Sequence, residues 1–475
     1  MTGPNSIRVI KVGGSVLRSS ADIETVVDRL SDTHGDAIVV TSALNGTTDS
    51  LVSLLEDDEL TTDTIDAFIE ELRSTHLSCC VGGEDTRGRL STAIDPVLEQ
   101  LSDRLHSIDG DDEIEDVTRD AVLATGERLS ARVLATSISA VDGDAIAIDA
   151  DELGVVTDGT FGRATARLDA TKQRIREPLL EHLEAGRLPV VTGYFGRGET
   201  GDVTTFGRGG TDYSAAIVAN CVGATQLDIW KDVEGFLTAD PTRIPTARVV
   251  PYMTYDEAAE LAYLGVQVLH PRTLEPLKAA DIPVNLGHVA ADDASGTQIG
   301  PGRDEPDRLR AIGAKEGFGI VRMHGSAMAY EPGVGAKVFS LLSDHDINIV
   351  NMAASQATFA LLVDDSDTEQ AADILESAAI PTVESVTFER GFALLCIVGK
   401  NIGLREGVAG RVFTVVGKAG VNIEMISVGS SNVAMSFVVD RDNLEAAMAA
   451  LHEGLDTFSP PDAMARSEAP KPFDD

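Results

Sequence analysis

The chain has 475 residues, 43% of them hydrophobic, enough for two or three domains with sizeable cores and too apolar for a disordered chain. Its 77 acidic residues against 38 basic give a net charge of −39, which argues against nucleic acid and anionic membranes as partners. The acids are spread along the whole chain, as adaptation to a salty cytosol requires, so a halophile is the expected source. No run of 18 apolar residues and no signal-type start occurs, and Cys79, Cys80, Cys221 and Cys396 lack metal or disulfide spacing. A cytoplasmic, thiol-reducing setting is therefore expected.

Short apolar runs at Ile7–Val12, Ala37–Thr41, Ala145–Ile148, Leu188–Tyr194, Gln226–Trp230 and Ile282–Leu286 alternate with helical patterns. This rhythm predicts an α/β domain over 1–290, a mostly parallel sheet with helices on both faces. Residues 50–116 break the rhythm and read as an acidic helical insertion over one sheet edge. Residues 291–314, rich in Gly, Pro and Asp at their start, read as a linker.

Beyond the linker the sequence repeats itself. EPGVGAKVFSLLSDHDINIVNM from Glu331 resembles REGVAGRVFTVVGKAGVNIEMI from Arg405 at an offset of 74 residues. Gly333 matches Gly407, Phe318 matches Phe392, and Asn348-Ile349 match Asn422-Ile423. Each copy reads as a βαββαβ unit, 315–390 and 391–465, followed by a tail over 466–475. A lone unit leaves a sheet edge exposed, so the two are expected to pair. Ligand sensing and simple dimerisation both account for such a pair.

Four strand exits carry candidate chemistry. Lys11-Val12-Gly13-Gly14-Ser15 places a cation and two glycines where a backbone can approach an oxyanion, although a tight turn explains the glycine pair equally. Ser42, in Thr41–Gly46, suits a phosphate or carboxylate, or a helix N-cap. Gly126 and Glu127 sit inside a helical pattern, where Gly costs about 1 kcal/mol and so signals a close approach. Glu127 suits an ammonium group or plain solvent. Phe206-Gly207-Arg208-Gly209-Gly210-Thr211-Asp212 precedes an apolar helix over Tyr213–Val222. Glycines, a helix N-terminus and an Arg–Asp pair make an anion site suited to a ligand of both charges. Lys231 and Asp232 follow the only tryptophan, Trp230, and could serve phosphates, Mg²⁺ or a ribose.

In order along the chain, KVGGS, TSALNGTTD, ATGERLS, TTFGRGGTDYSAA, WKDVEGFLTADP and VLHPRTLEPL resemble the motifs of aspartate kinases, members of the amino acid kinase superfamily. The 74-residue repeat resembles their paired ACT domains. The resemblance spans nearly the whole chain. It implies an amino-acid-kinase sheet plus two α+β ACT units, and ATP- and Mg²⁺-dependent phosphorylation of the L-aspartate β-carboxylate on the route to lysine, threonine and methionine. It also implies control by an amino-acid effector and a homodimer or higher homo-oligomer formed through the ACT units. The alternatives are a kinase of another small acid such as glutamate, and a non-catalytic amino-acid sensor with a degenerate kinase domain.

Carried over residue by residue, the resemblance makes Lys11 and Asp212 catalytic. It assigns Ser42, Thr47, Glu127, Arg208, Gly209, Gly210 and Thr211 to the substrate. Lys11, Gly13, Gly14, Ser15, Lys231, Asp232, Leu237, Arg243 and Gln267 fall on the ATP side, with Mg²⁺ arriving on ATP rather than in a protein cage. Met323, Gly333, Asn348, Ile349, Asn422 and Ile423 are the implied effector residues. The chain departs from the family at Gln267 and Lys231, where relatives have Lys and Thr. It departs again at Leu237, where they have Tyr, and at Thr242, where Arg is common and Arg243 is adjacent. Lys231 is expected to replace the charge missing at Gln267. Val350 in the first repeat and Glu424 in the second leave lysine and threonine both open as effectors.

Overall fold

The computed structural model describes residues 6–31, 36–57, 60–108, 114–141, 143–264, 268–291, 296–303, 308–326, 328–429 and 431–455. The chain divides into two compact units. The first comprises residues 1–236, 251–255 and 268–302, and the second 237–250, 256–267 and 303–475.

The strands of the first unit are β1 (Arg8–Val12), β2 (Ala37–Thr41), β3 (Asp144–Ile148), β4 (Arg187–Thr192), β5 (Phe195–Arg197), β6 (Val203–Thr205), β7 (Gln226–Lys231), β8 (Tyr252–Thr254), β9 (Val284–His288) and β10 (Thr297–Gly300). Eight form one sheet in the order β3-β4-β2-β1-β7-β9-β10-β8, while β5 and β6 pair as a separate hairpin. All neighbouring pairs in the large sheet are parallel except β9 with β10. The all-apolar run in β2 is buried on both faces, as a central parallel strand requires. The expected linker is different from its composition: it contributes β10 to this sheet.

Helices α1 (Ser20–Ser31), α2 (Thr47–Leu55), α3 (Thr62–Cys79), α4 (Glu84–His106), α5 (Asp116–Leu123), α6 (Thr125–Val141), α7 (Ala150–Leu153), α8 (Leu168–Glu184) and α9 (Gly210–Val222) belong to the first unit. The insertion is helical as expected. Its α3 and α4 stack on α6, which lies on β3 and β4, so the insertion forms an added helical layer. Helix α9 is buried almost all round, which matches its lack of a polar face. Only Tyr255 of α10 (Tyr255–Tyr263) belongs to this unit, which ends its helices with α11 (Leu274–Ala279).

The second unit is built on β11 (Leu309–His324), β12 (Asn351–Ala354), β13 (Thr358–Asp364), β14 (Ser385–Gly399), β15 (Met425–Ser427) and β16 (Ala434–Asp440). Helices α12 (Val334–Ser343), α13 (Thr368–Ser377), α14 (Val408–Lys418) and α15 (Leu444–Gly454) complete the two repeats. The sheet order is β12-β13-β11-β14-β16-β15. The two long strands run antiparallel, and Phe318 pairs with its repeat equivalent Phe392, which gives the repeats a pseudo-two-fold relation. Gly317 (φ 87°) and Gly391 (φ 88°), again 74 apart, break each long strand just before that pair. The first segment of β11 runs beside the second repeat's strand, and the first segment of β14 beside the first repeat's. The repeats therefore share strands, and neither 314/315 nor 390/391 is a break in the fold. Ala239 and Ile244 join the core formed by Val408, Val412, Met448 and Leu451, so the 237–250 segment is integral to this unit.

Candidate active site

Strands β4, β2, β1 and β7 are neighbours, and their carboxyl ends meet the loops that carry the motifs. The chain continues to one side of β1 through β2 and to the other through β7. Ligands of open parallel sheets bind at such a reversal. A cavity of about 530 Å³ opens there. It is lined by Lys11, Gly14, Ser15, Ser42, Glu127, Arg208, Gly209, Gly210, Thr211, Asp212 and Lys231 among the residues expected from sequence. Asn45, Thr48, Asp49 and Tyr194 also line it and were not anticipated.

The centre of the cavity is a buried charge cluster. Lys11 is the penultimate residue of β1, and its Nζ lies 2.7 Å from Asp212 Oδ1. Lys231 ends β7, and its Nζ donates to Asp212 Oδ2 at 2.8 Å and to the carbonyl of Val268 at 2.7 Å. Asp212 sits in the first turn of α9, where the helix dipole favours a carboxylate. Burial alone would raise the Asp212 carboxyl, but the two ammonium groups outweigh it and bring it down to about 2. Burial lowers the Lys11 ammonium, the nearby Lys231 charge adds to that, and Asp212 opposes it.

Glu127 forms the other wall. Its Oε1 accepts the N–H of Ala43 at 3.1 Å, while Oε2 has no hydrogen-bond partner among the described residues. Burial raises this carboxyl to about 8 against the pull of Ala43 N–H and Lys11. Gly126 explains the glycine in a helix: a Cβ there would lie 2.8 Å from the Cβ of Ala43. The missing side chain lets α6 press against the β2 exit and deliver Glu127 to it.

The helix after the β2 exit begins at Thr47 with Gly46 as its cap, so Ser42 faces the cavity and caps nothing. Thr47 is buried but outside the lining, and its neighbour Thr48 lines the cavity in its place. Gly209 adopts φ 71°, and a Cβ there would approach that of His270 to 2.4 Å, so the turn before α9 admits only glycine. Arg208 is exposed at the cavity wall.

The nucleotide-side expectations fare unevenly. Gly13 is not in the lining, although a Cβ on it would lie 3.2 Å from Lys11 Nζ. Asp232 is exposed and outside the lining. Leu237 and Arg243 belong to the second unit, where Leu237 bridges Val249 and Arg243 is bonded to Glu316. Gln267 lies outside the described residues. Lys11, Gly14, Ser15 and Lys231 do line the cavity, and Lys231 joins Lys11 on Asp212. Of the effector candidates in the second unit, Met323 is fully buried and Gly333 has φ 94°. Asn348 and Ile349 precede β12, and Asn422 and Ile423 precede β15. Asn422 donates to Glu424 at 2.6 Å, and Arg322 reaches the other oxygen of Glu424 at 3.1 Å.

Tyr194 was legible only as the end of a strand. The structure places it past β4, in the left-handed region at φ 71°. Its hydroxyl is pushed up to about 12, chiefly by burial and then by the Glu127 carboxylate.

Comparison with known proteins agrees with this geometry. The amino acid kinase family matches residues 6–288, and ACT domains match 313–377 and 395–455. Aspartokinase 1, chloroplastic, of Arabidopsis thaliana is 32% identical over 469 residues, covering 94% of this chain and 80% of that protein. Lysine-sensitive aspartokinase 3 of Escherichia coli is 33% identical over 306 residues, covering 63% of this chain and 67% of that protein. The crystal structure of E. coli aspartokinase III in complex with aspartate and ADP (R-state) is similar with a TM-score of 0.80 and 28% identity, covering 94% of this chain and 99% of that one. The same enzyme with lysine and aspartate (T-state) gives a TM-score of 0.78 over 95% of this chain and 99% of that one, at 28% identity. The chain belongs to the amino acid kinase family and, within it, to the aspartokinases.

Proposed function

We propose that this chain transfers the γ-phosphoryl group of MgATP to the β-carboxylate of L-aspartate, forming 4-phospho-L-aspartate. The observation that carries the reading is the cavity itself: a buried carboxylate bridging two ammonium groups, facing a second buried carboxylate with one unpaired oxygen. The solved relative with aspartate and ADP supports it.

A carboxylate is ionised at neutral pH, so no general base is needed. The barrier lies in bringing two anions together and stabilising charge on the transferring group. Lys11 and Lys231 supply that charge from fixed positions, and Asp212 holds both. Glu127 Oε2 takes the substrate ammonium, and Arg208 clamps a carboxylate through its planar fork. Gly14 and Ser15 leave room for phosphate oxygens. Both oxygens of Asp212 face ammonium groups, so Mg²⁺ enters as part of the MgATP substrate, where it neutralises phosphate charge.

The product would supply lysine, threonine and methionine synthesis in the cytoplasm. The tandem ACT units would bind an amino-acid effector and join two chains. Val350 carries no charge and Glu424 is already engaged by Arg322 and Asn422, which favours threonine over lysine as effector. The wide spread of acids fits a salt-rich cell. A hydroxamate assay with aspartate, ATP and Mg²⁺ in molar KCl tests the activity, and glutamate in place of aspartate tests the substrate. No product from aspartate would refute the reading. Calorimetry with threonine and with lysine tests the effector.

A further inference from the structure

Tyr194 is strained. With φ at 71°, it sits in a three-residue turn closed by the N–H of Phe195 on the carbonyl of Gly193 at 2.9 Å. Such turns are rare, and a bulky residue stays in one only where its surroundings over-determine it. Here the Tyr194 carbonyl accepts the N–H of Phe206 at 2.8 Å, and its ring fills the space over Gly210, where a Cβ would come within 2.8 Å of Cδ2. The next residue, Phe195, pairs with Thr205 across the β5–β6 hairpin, which ties the Tyr194 turn to Thr205 through the backbone.

Thr205 is held in turn by Asp120 of α5, a buried carboxylate outside the cavity lining. Asp120 Oδ2 accepts the N–H groups of Thr205 at 2.7 Å and Gly162 at 2.9 Å. Its Oδ1 accepts the Thr205 hydroxyl at 2.9 Å. One carboxylate thus ties the end of β6 to the loop at Gly162, beside the point where Gly207 passes Gly162 so closely that a Cβ on it would lie 2.6 Å from the Gly162 carbonyl oxygen. Arg208 follows directly.

We propose that Asp120 is a positioning residue for the carboxylate-binding end of the cavity: through Thr205 it fixes Tyr194 and the Phe206–Gly210 loop that carries Arg208. The inference rests on the proposed aspartate site. Asp120 touches no reactant. Its effect is on where the groups that bind aspartate stand, and small misplacements of such groups are costly.

The test uses the full chain carrying Thr205→Val, Thr205→Ser or Asp120→Asn. The aspartate Kd is measured by calorimetry, and KM for aspartate and for MgATP by turnover. Thr205→Val and Asp120→Asn are expected to raise the aspartate Kd and KM about tenfold while leaving the MgATP KM within about twofold. Thr205→Ser, which restores the hydroxyl, is expected to stay near wild type. Proportional rises in both KM values would overturn the proposal, as would a Ser variant as impaired as the Val variant. If Asp120→Asn does not fold, the Thr205 pair decides, because the Thr205 N–H bond to Asp120 survives in both. A wild-type chain that binds aspartate but makes no hydroxamate would refute the proposed activity and leave the Kd comparison to decide this inference.

Discussion

Replacing Glu127 by Gln separates the two states of the cavity. In the ligand-free protein the Glu127 carboxyl is raised to about 8 by burial, from an ordinary value near 4.5. A folded-state value above the unfolded one means that its contribution to stability is complete below pH 4.5 and is lost as pH rises through 8. Between those limits the unfolded chain ionises this group and the folded chain does not. Each pH unit then removes about 1.4 kcal/mol, so the loss from pH 5 to pH 8 is on the order of 4 kcal/mol. Glutamine keeps the bond from Ala43 N–H and has no proton to lose. The Tm difference between Glu127→Gln and wild type should therefore widen in favour of the variant by about 10 °C over that interval. Thermal unfolding from pH 5 to pH 8.5 without ligands measures it. Saturating aspartate should stabilise wild type, because the incoming ammonium pairs with an ionised Glu127, and should release about one proton per site at pH 7. The variant should lose most of its aspartate affinity. Parallel Tm curves for the two ligand-free proteins would refute the elevated carboxyl, and an unchanged aspartate affinity in the variant would refute its place opposite the ammonium.

Lys11→Ala should lower kcat by about 10³-fold with little change in the aspartate KM, since the lost ammonium acts on charge that develops during transfer; hydroxamate kinetics check this. Lys231→Thr should raise the MgATP KM several-fold, and adding Gln267→Lys should restore it, as steady-state titrations with ATP would show. In the second unit, Glu257 pairs with Arg310 at 2.8 Å with both side chains essentially inaccessible. Glu257→Ala should cost about 3–5 kcal/mol by removing one partner of a buried ion pair, read as an early loss of that unit in urea unfolding.

Sequence and structure agree best where one chemical rule controls one segment. β2 occupies Ala37–Thr41, the residues expected, because four apolar residues closed by a threonine and set between helices suit a strand buried on both faces. The 74-residue repeat foretold that Phe318 and Phe392 are equivalent. That they pair across a pseudo-two-fold depends on two long strands being shared, which no single repeat encodes. The same holds for Leu237–Val250: its apolar residues match either unit, and only the assembled core of Met448 and Leu451 shows where they go. In the site, most of the charged residues that line the cavity carried recognisable spacing. Tyr194 and Asp120 did not, since one looks like a strand end and the other like a solvated helix acid. Their roles come from a positive φ and three hydrogen bonds to distant loops.

The chain carries −39, yet its cavity gathers Lys11, Lys231 and Arg208 against the carboxylates of Asp212 and Asp49, while Glu127 remains neutral near pH 7. The substrates proposed for it are both anions. The acidic surface cannot be what attracts them, so their binding must come from groups within a few ångströms, where salt screens least. Salt at molar strength shortens the range of the surface charge to about 3 Å and leaves the buried cluster nearly untouched. Burial, which makes Glu127 hard to ionise and lowers Lys11, is also what shields the cluster from the rest of the protein's charge. In the proposed reading the ammonium of the substrate would supply the positive partner that ionises Glu127. On that reading the cavity would favour anions first and then select an anion that also carries an amine.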